Sequence, residues 1–298
     1  AMSYNPATGL VYIPTMVFPV AFLSPTVDKD RLPGQGFWTV GFDRMGGAPP
    51  KVPDAVLDAQ LARDFTGKLI AWDPVKKETR WAQQASRPNT GGTLSTAGGL
   101  VFHGGGGGHM IATDAVTGED LWSHDTQTGP WAPPITYALD GEQYIAVAVG
   151  FGGGLAAEGG AVAHGWKMRN LSRVLVYKLG GSHELPPVPE DTRLMPKPAA
   201  VNADEAVIQR GQVVYQRHCS YCHGDGLRTG GLTPDLRWSG ENVHAIWNDI
   251  VLGGILKSLG MVSFAEFVSK DDAEAIRQYV LSEANRQYQQ QASVVEDQ

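Results

Sequence analysis

The chain has only two cysteines, three residues apart in Cys219-Ser220-Tyr221-Cys222-His223. A C-x-x-C-H pentapeptide is the attachment pattern of c-type haem. Two thiols at this spacing can each bond one vinyl-derived carbon of a porphyrin, and the adjacent imidazole is then held under the iron as an axial ligand. Three other chemistries use paired cysteines. A zinc site needs two further ligands, and with no third cysteine only scattered histidines remain to supply them. A dithiol redox centre wants a βαβ context, which the flanking sequence lacks, and a structural disulfide between positions this close is rarer still. Covalent haem therefore makes electron transfer the expected role of this part of the chain.

The segments around the pentapeptide read as the helices that must position it. Asn202 is a candidate N-cap for a helix from Ala203 to about Arg217, which leads directly into Cys219. Ser269 followed by Asp272 resembles a capping box and opens a last helix through Ile276, Tyr279 and Val280 to about Tyr288. The Gln-rich final ten residues are expected to fray. Residues 202–298 thus form an expected all-α haem domain. Residues 181–201, with Pro186, Pro187, Pro189, Pro196 and Pro198, read as a semi-rigid linker in front of it.

Residues 1–180 are organised differently. Gly67 to Trp81 aligns with Gly108 to Trp122 at a constant offset of 41, with Gly, Ala, Asp, Val, Glu and Trp recurring in register. A period near 40, with short strands and a turn before a Trp, is the signature of a β-propeller blade whose Trp packs against a neighbouring blade. Further strands are expected from Leu10 to Pro14, Leu100 to His103, Tyr144 to Val149 and Val174 to Leu179. That gives two full blade cores and parts of others. A propeller needs four or more blades to close, so the expected fold is a partial propeller followed by a cytochrome c domain, with further blades upstream. Ser24 to Asp64 reads as a long excursion between strands. The five glycines Gly104 to Gly108 lack the Gly-Lys-Ser/Thr of a phosphate cradle and read as a blade turn. Gly152-Gly153-Gly154 and Gly159-Gly160 mark another loop.

The 298 residues include 42% hydrophobic residues, enough for sizeable cores, and the formal net charge of −7 argues against nucleic acid or an anionic membrane surface as partner. No apolar run approaches the roughly 18 residues of a membrane span. Haem attachment of this type takes place outside the bacterial cytoplasm, so a periplasmic location is expected, with the leader lying elsewhere.

With both parts placed, the chain resembles the C-terminal part of the quinohaemoprotein alcohol dehydrogenases, whose propeller holds pyrroloquinoline quinone (PQQ) and calcium ahead of a cytochrome c domain. The resemblance rests on Met2 to Pro14, the two Asp-to-Trp repeats, Ala132-Pro133-Pro134-Ile135-Thr136-Tyr137 leading to Asp140-Gly141-Glu142-Gln143-Tyr144, and the haem motifs. It implies thioether links at Cys219 and Cys222, His223 as proximal iron ligand, and Pro234 as the carbonyl that receives the proximal imidazole N–H. It implies Met261 as the distal ligand, where Val262 replaces the usual proline; the other six methionines fall in the propeller part or the linker. Gly211, Tyr215 and Tyr279 match positions where the terminal helices of cytochromes c cross. Trp131 falls where the last blade approaches the quinone, as a pocket wall or as ordinary packing.

The catalytic base and the calcium ligands of such an enzyme belong to blades that this sequence does not contain. Asp43, Asp54, Asp58 and Asp64 read as solvated surface carboxylates, and His103, His109, His124 and His164 show no metal spacing. The resemblance implies oxidation of an alcohol at PQQ and onward transfer through haem c to an acceptor such as a soluble cytochrome, a copper protein or a membrane quinone oxidoreductase. The other reading is a stand-alone haem carrier with a non-catalytic propeller remnant.

Overall fold

The computed structural model describes residues 1–17, 66–85, 91–150, 169–190, 193–227, 229, 231 and 233–296, with the single positions 59 and 63. The expected excursion over 24–64, the glycine loops at 152–160, and with them Asp43, Asp54, Asp58, Asp64 and His164, lie outside the described residues. The chain divides into two compact units. One comprises Ala1–Val20, Val52–Glu190 and Gly230–Leu232, and the other Ala21–Lys51, Asp191–Thr229 and Thr233–Gln298.

Among the described residues the first unit holds three antiparallel sheets. Strands β1 (Ser3–Asn5), β2 (Leu10–Val17), β3 (Thr66–Asp73) and β4 (Glu78–Ala85) pair in sequence order. So do β5 (Thr93–Ser95), β6 (Leu100–Gly104), β7 (His109–Asp114) and β8 (Asp120–Asp125). In the third sheet β9 (Ile135–Leu139), β10 (Glu142–Val149) and β11 (Arg173–Lys178) run in the order β11-β10-β9. These are propeller-type blades, two with four strands and one with three.

The sequence repeat is a repeat of geometry down to single residues. Ala71 pairs with Trp81, and the ladder then slips so that Trp72 pairs with Thr79. Ala112 pairs with Trp122, and the same slip pairs Thr113 with Asp120. Such bulges sharpen the local twist of a hairpin. The turn each bulge serves is held by its aspartate. Asp73 Oδ1 accepts from the Val75 and Lys76 amides, and Asp114 Oδ1 from those of Val116 and Thr117. The turn closes on a left-handed residue, Lys77 (φ 58°) in one copy and Gly118 (φ 79°) in the other.

Apolar layers join the sheets. Leu10, Tyr12, Leu69, Ala71, Val101 and Ala115 form one, with Trp81 against it, and Met110, Ile145, Val147, Val149 and Leu175 form the other. Trp81 donates its indole N–H to the Ala115 carbonyl at 3.2 Å and lies over Gly118, where any Cβ would come within 2.8 Å of the ring. The glycine run serves several purposes at once. Gly104 faces Pro130, whose Cγ would lie 2.3 Å from an added Cβ, and Gly108 adopts φ 73°.

In the second unit, helix α1 (Glu205–His218) passes through Cys219 into the one-turn helix α2 (Ser220–His223). The α1 cap is Asp204, whose carboxylate accepts the Val207 amide at 2.9 Å. Asn202 instead donates its backbone N–H to Gln278 Oε1. The short helices α3 (Glu241–Ala245) and α4 (Trp247–Val251) precede α5 (Lys270–Glu296). Ser269 and Asp272 form the expected reciprocal cap at the start of α5, with the Asp272 amide 3.0 Å from Ser269 Oγ. Helix α5 runs to Glu296, beyond the expected end, because Gln289, Gln290, Gln291 and Ala292 contain no helix breaker. Helices α1 and α5 cross at Gly211, where a Cβ would sit 1.9 Å from the Ala275 carbonyl oxygen. Tyr215 and Tyr279 pack at the same crossing with ring centroids 5.5 Å apart. Among the described residues no helix is long and apolar enough to cross a membrane.

Candidate haem site

The backbone winds Cys219 to His223 into one helical turn, with the Cys219 amide bonded to Tyr215 O at 2.7 Å and the His223 amide to Cys219 O at 2.9 Å. This turn places both thiols and the imidazole within one helical turn. Tyr215 fixes its far end by donating its hydroxyl to Gly224 O at 2.7 Å. Cys219 is buried and Cys222 exposed, and both are free thiols. Burial, with a smaller contribution from Cys222, pushes the Cys219 thiol up to about 12, and burial raises Cys222 as well. A redox-active dithiol needs the opposite shift, toward thiolate. Among the described residues no group of three or more His, Cys, Asp or Glu side chains gathers as a metal site would require.

His223 is buried, and its Nδ1 lies 3.0 Å from the Pro234 carbonyl oxygen. A carbonyl can only accept, so Nδ1 carries the proton and Nε2 keeps its lone pair. Burial also lowers the imidazole's affinity for a second proton, against smaller opposing contributions from Pro234 and Asp235. The result is a neutral, oriented imidazole with one nitrogen available to a metal. The Pro234 segment is itself tied back, since Thr233 Oγ1 donates to the Cys222 carbonyl. Two adjacent residues thus grip two adjacent residues of the pentapeptide.

Met261 packs, half-buried, against the cluster of Tyr215, Cys219, Trp247, Val251, Ile276 and Tyr279. Its loop lacks a proline at Val262 but is pinned elsewhere: the Met261 amide bonds Leu256 O, Ser263 Oγ donates to Leu252 O, and the Phe264 amide bonds Val251 O at 2.8 Å. Gly254 (φ 68°) and Gly260 (φ 96°) turn the chain on either side.

In the sheet unit, Trp131 is half-buried and folds back over Gly129, where a Cβ would meet its Nε1 at 2.2 Å. His103 is buried in β6 and bonds Thr113 Oγ1 at 2.9 Å; Thr113 in turn donates to Asp120 at 2.7 Å. His124 bonds Tyr177 at 3.1 Å, and His109 sits exposed beside Gly107.

Sequence reasoning missed one part of the candidate site. Asp235 and Arg237 form a two-pronged ion pair on the 3₁₀ turn that follows Pro234. An aspartate two residues before an arginine and directly after the proline was the available signal.

Residues 61–145 match the family described as glucose/ethanol/alcohol dehydrogenase β-propeller domain, and residues 206–280 match that of the cbb3-type cytochrome c oxidase subunit III. The chain is 38% identical over 291 residues to quinohaemoprotein alcohol dehydrogenase ADH-IIG of Pseudomonas putida, covering 97% of this chain and 39% of the relative. It is 39% identical over 295 residues to the dehydrogenase subunit of the Acetobacter aceti alcohol dehydrogenase (quinone), covering 98% and 39%. The chain is similar to quinohaemoprotein alcohol dehydrogenases. Solved structures agree. That of ADH-IIG superimposes with a TM-score of 0.77 at 37% identity, over 97% of this chain and 41% of its own. The enzyme of Comamonas testosteroni gives 0.66 at 29% identity, over 96% and 40%. The chain joins a propeller segment of the PQQ type to a cytochrome c domain, and it spans about two fifths of the length of these quinohaemoprotein relatives.

Proposed function

We propose that this chain is the cytochrome-bearing portion of a periplasmic, PQQ-dependent alcohol dehydrogenase, and that it holds one haem c through thioethers at Cys219 and Cys222. His223 and Met261 are the axial ligands, and Pro234 orients the first of them. The observation that carries this reading is the 3.0 Å contact between His223 Nδ1 and the Pro234 carbonyl. It fixes the tautomer that leaves Nε2 for iron, as carbonyl partners of ligating histidines do. When bound, the quinone supplies two-electron oxidation of the alcohol and the iron supplies one-electron transfer.

The chain's own residues hold, orient and shield. Cys219 and Cys222 anchor the macrocycle to a turn that Tyr215 and Thr233 brace. Tyr215, Trp247, Ile276 and Tyr279 exclude water from the buried side, and a thioether ligand from Met261 favours the ferrous state. In the sheet unit, Trp131 is the residue in reach of a quinone pocket, whose calcium ligands and base would come from further blades. The printed names of the relatives support the PQQ and alcohol parts of this reading, and the cytochrome match supports the haem. The electron acceptor is an external carrier: a soluble cytochrome, a copper protein or a membrane quinone oxidoreductase.

The test is a haem-stained denaturing gel of the chain matured in a periplasm competent for cytochrome c. Stain should be retained in the unaltered protein and lost in Cys219→Ala/Cys222→Ala. Met261→Ala should keep the stain but lose the far-red absorption of an iron–thioether bond. Undiminished stain in the double cysteine variant would remove the basis of the proposal.

A further inference from the structure

The Pro-rich segment ahead of α1 does more than space where it meets the helical unit. From Arg193 to Asn202 it forms neither helix nor strand, yet it is tied down along its length. Met195 is buried, Asn285 Nδ2 donates to the Ala199 carbonyl at 2.8 Å, and the Asn202 amide donates to Gln278 Oε1 at 2.9 Å. The two amide contacts dock the segment on α5. Its first described residue goes elsewhere: the Arg193 guanidinium carbon lies over the Trp238 ring, 5.3 Å from the centroid. That ring belongs to the turn behind the His223 imidazole.

Trp238 ends the 3₁₀ turn Leu236–Trp238, with its amide 3.0 Å from Asp235 O and the Ser239 amide 3.1 Å from Leu236 O. Two residues of the turn are gripped from different directions. Leu236 packs against the cluster that holds Cys219 and Tyr279, while the half-buried Trp238 carries Arg193 on its ring. Pro234 enters this turn through Asp235, and its carbonyl oxygen is 3.0 Å from His223 Nδ1. Pro234 is itself exposed. So short a 3₁₀ turn has few and poorly aligned hydrogen bonds, so the place of the Pro234 carbonyl depends on what holds the residues to either side. Before it, Thr233 is tied to the Cys222 carbonyl. After it, the hold is Leu236 below and Arg193 on Trp238.

We propose that Arg193 is a positioning residue of the haem site, reaching from the linker to clamp Trp238 and so keeping the Pro234 carbonyl within hydrogen-bond reach of His223. The inference rests on the reading of His223 as an iron ligand. Arg193 acts through Trp238, and the turn acts on the ring through Pro234. A carbonyl partner fixes the orientation of a ligating imidazole only while it stays in place. The segment in front of α1 thus belongs to the haem site as well as to the connection between the units.

The experiment follows the His223 Nδ1 proton by nuclear magnetic resonance in the whole matured chain with its haem reduced. Exchange of that proton with water requires the bond to Pro234 to open, so its rate reads the local opening directly. Arg193→Ser should speed the exchange about two- to fivefold, the factor that a cation over an exposed aromatic face contributes. The amides of α1 and α5 should keep their rates. Arg193→Lys keeps a cation above the ring and should recover most of the protection. Trp238→Leu removes the ring as well and should speed the exchange further, with Trp238→Phe lying between it and the unaltered protein. The proposal is overturned if Arg193→Ser leaves the His223 proton unchanged, or if the α1 and α5 amides speed up by the same factor, which would make the contact one of general stability. Arg193 is exposed and its replacement leaves the core intact. Should Trp238→Leu fail to accumulate, the two Arg193 variants therefore decide alone. Failure of the haem reading itself would be visible earlier, as an unaltered chain that carries no covalent haem and so no iron-bound His223 to follow.

Discussion

The helical unit is locked where its terminal helices cross, whereas the third sheet leaves apolar side chains exposed on one face. In the helical unit the first and last helices meet at Gly211 and Ala275, and the core they bound draws on residues from Tyr215 to Val280. In the sheet unit, layers of side chains join sheet to sheet, but on the third sheet one face is exposed at its two outer strands. There, Ile135, Val174 and Val176 are 59%, 68% and 51% exposed, with Tyr137 and Leu139 beside them. Cross-strand pairing puts Ile135, Ala146 and Val176 side by side on that face. A stacked array of this kind buries a sheet only where it has a neighbour, so stability in the sheet unit is a sum over interfaces. The helical unit should instead unfold as one body.

The strongest way to break this contrast is at the helix crossing. Gly211→Val places a branched side chain where a single Cβ already overlaps the Ala275 carbonyl, and backbone on both sides leaves no flexible atom to yield. We expect a loss beyond the about 1–3 kcal/mol of ordinary overpacking. The helical far-ultraviolet signal and the far-red iron–thioether band should be lost together while the sheet signal remains. Retention of a normal far-red band in this variant would show that the crossing does not hold the helical unit.

Acid should separate the units next. Burial drives His103 from its ordinary 6.5 down to about 4, with Asp120 opposing through its charge. The folded state disfavours the protonated ring, so its contribution is complete above pH 6.5, is lost as the pH falls toward 4, and is flat below that. A fall of this size is worth about 3 kcal/mol at most, at about 1.4 kcal/mol per pH unit. His103→Gln should flatten the pH dependence of sheet-unit unfolding between pH 6.5 and 4. An unchanged profile would assign the acid sensitivity to another group.

A smaller effect tests the repeat. Trp81 is half-buried against Gly118, while its counterpart Trp122 is 40% exposed against His124 and Tyr177. Trp81→Ala should destabilise the sheet unit by about 2–3 kcal/mol, below the about 3–5 kcal/mol of a fully buried ring, and Trp122→Ala by less. Equal losses in chemical denaturation would mean that both indoles have equivalent neighbours.

The same contrast explains what the sequence makes legible. Features set by local spacing read well: the Cys219 to His223 turn, Pro234 behind it, the Asp73 and Asp114 turns, and the Ser269 cap. Where two neighbours had equal claims, local reading chose poorly. Asn202 and Asp204 are both good caps, and the choice was made by Gln278 on α5, which takes the Asn202 amide. The Arg237 fork escaped because burial of an arginine is visible only in three dimensions. Two strands of the third sheet, Tyr144 to Val149 and Val174 to Leu179, were legible, but β9 was not expected as a strand, and nothing in the run Ile135 to Leu139 says which face is covered.

The smallest effect concerns Asp272, which serves both ends of one contact. At the start of α5 its Oδ2 accepts from the Ser269 hydroxyl at 2.7 Å and from the Ser269 amide at 3.4 Å, and it reaches α1 through Arg210, whose Nη2 lies 2.8 Å from Asp272 Oδ1. The two roles differ in physics. The cap satisfies a backbone donor that would otherwise be orphaned, a loss of typically about 1 kcal/mol, whereas an exposed ion pair contributes about 0–1 kcal/mol and weakens with salt. Arg210→Ala should therefore destabilise the helical unit less than Asp272→Ala, and high salt should remove most of the Arg210 loss but only the ion-pair share of the Asp272 loss. Hydrogen bonds from Ser269 and Arg210 hold the Asp272 carboxyl below its ordinary 3.8 in spite of the opposing effect of burial, its largest single influence. Its contribution is present above that value and is lost as the pH falls through the lower folded one, on the acid side of the window in which His103 titrates. If Arg210→Ala proves as costly as Asp272→Ala in thermal unfolding at high salt, the bridge between the terminal helices is more than a screened surface pair, and the helical unit depends on it for closure as well as on the packing at Gly211.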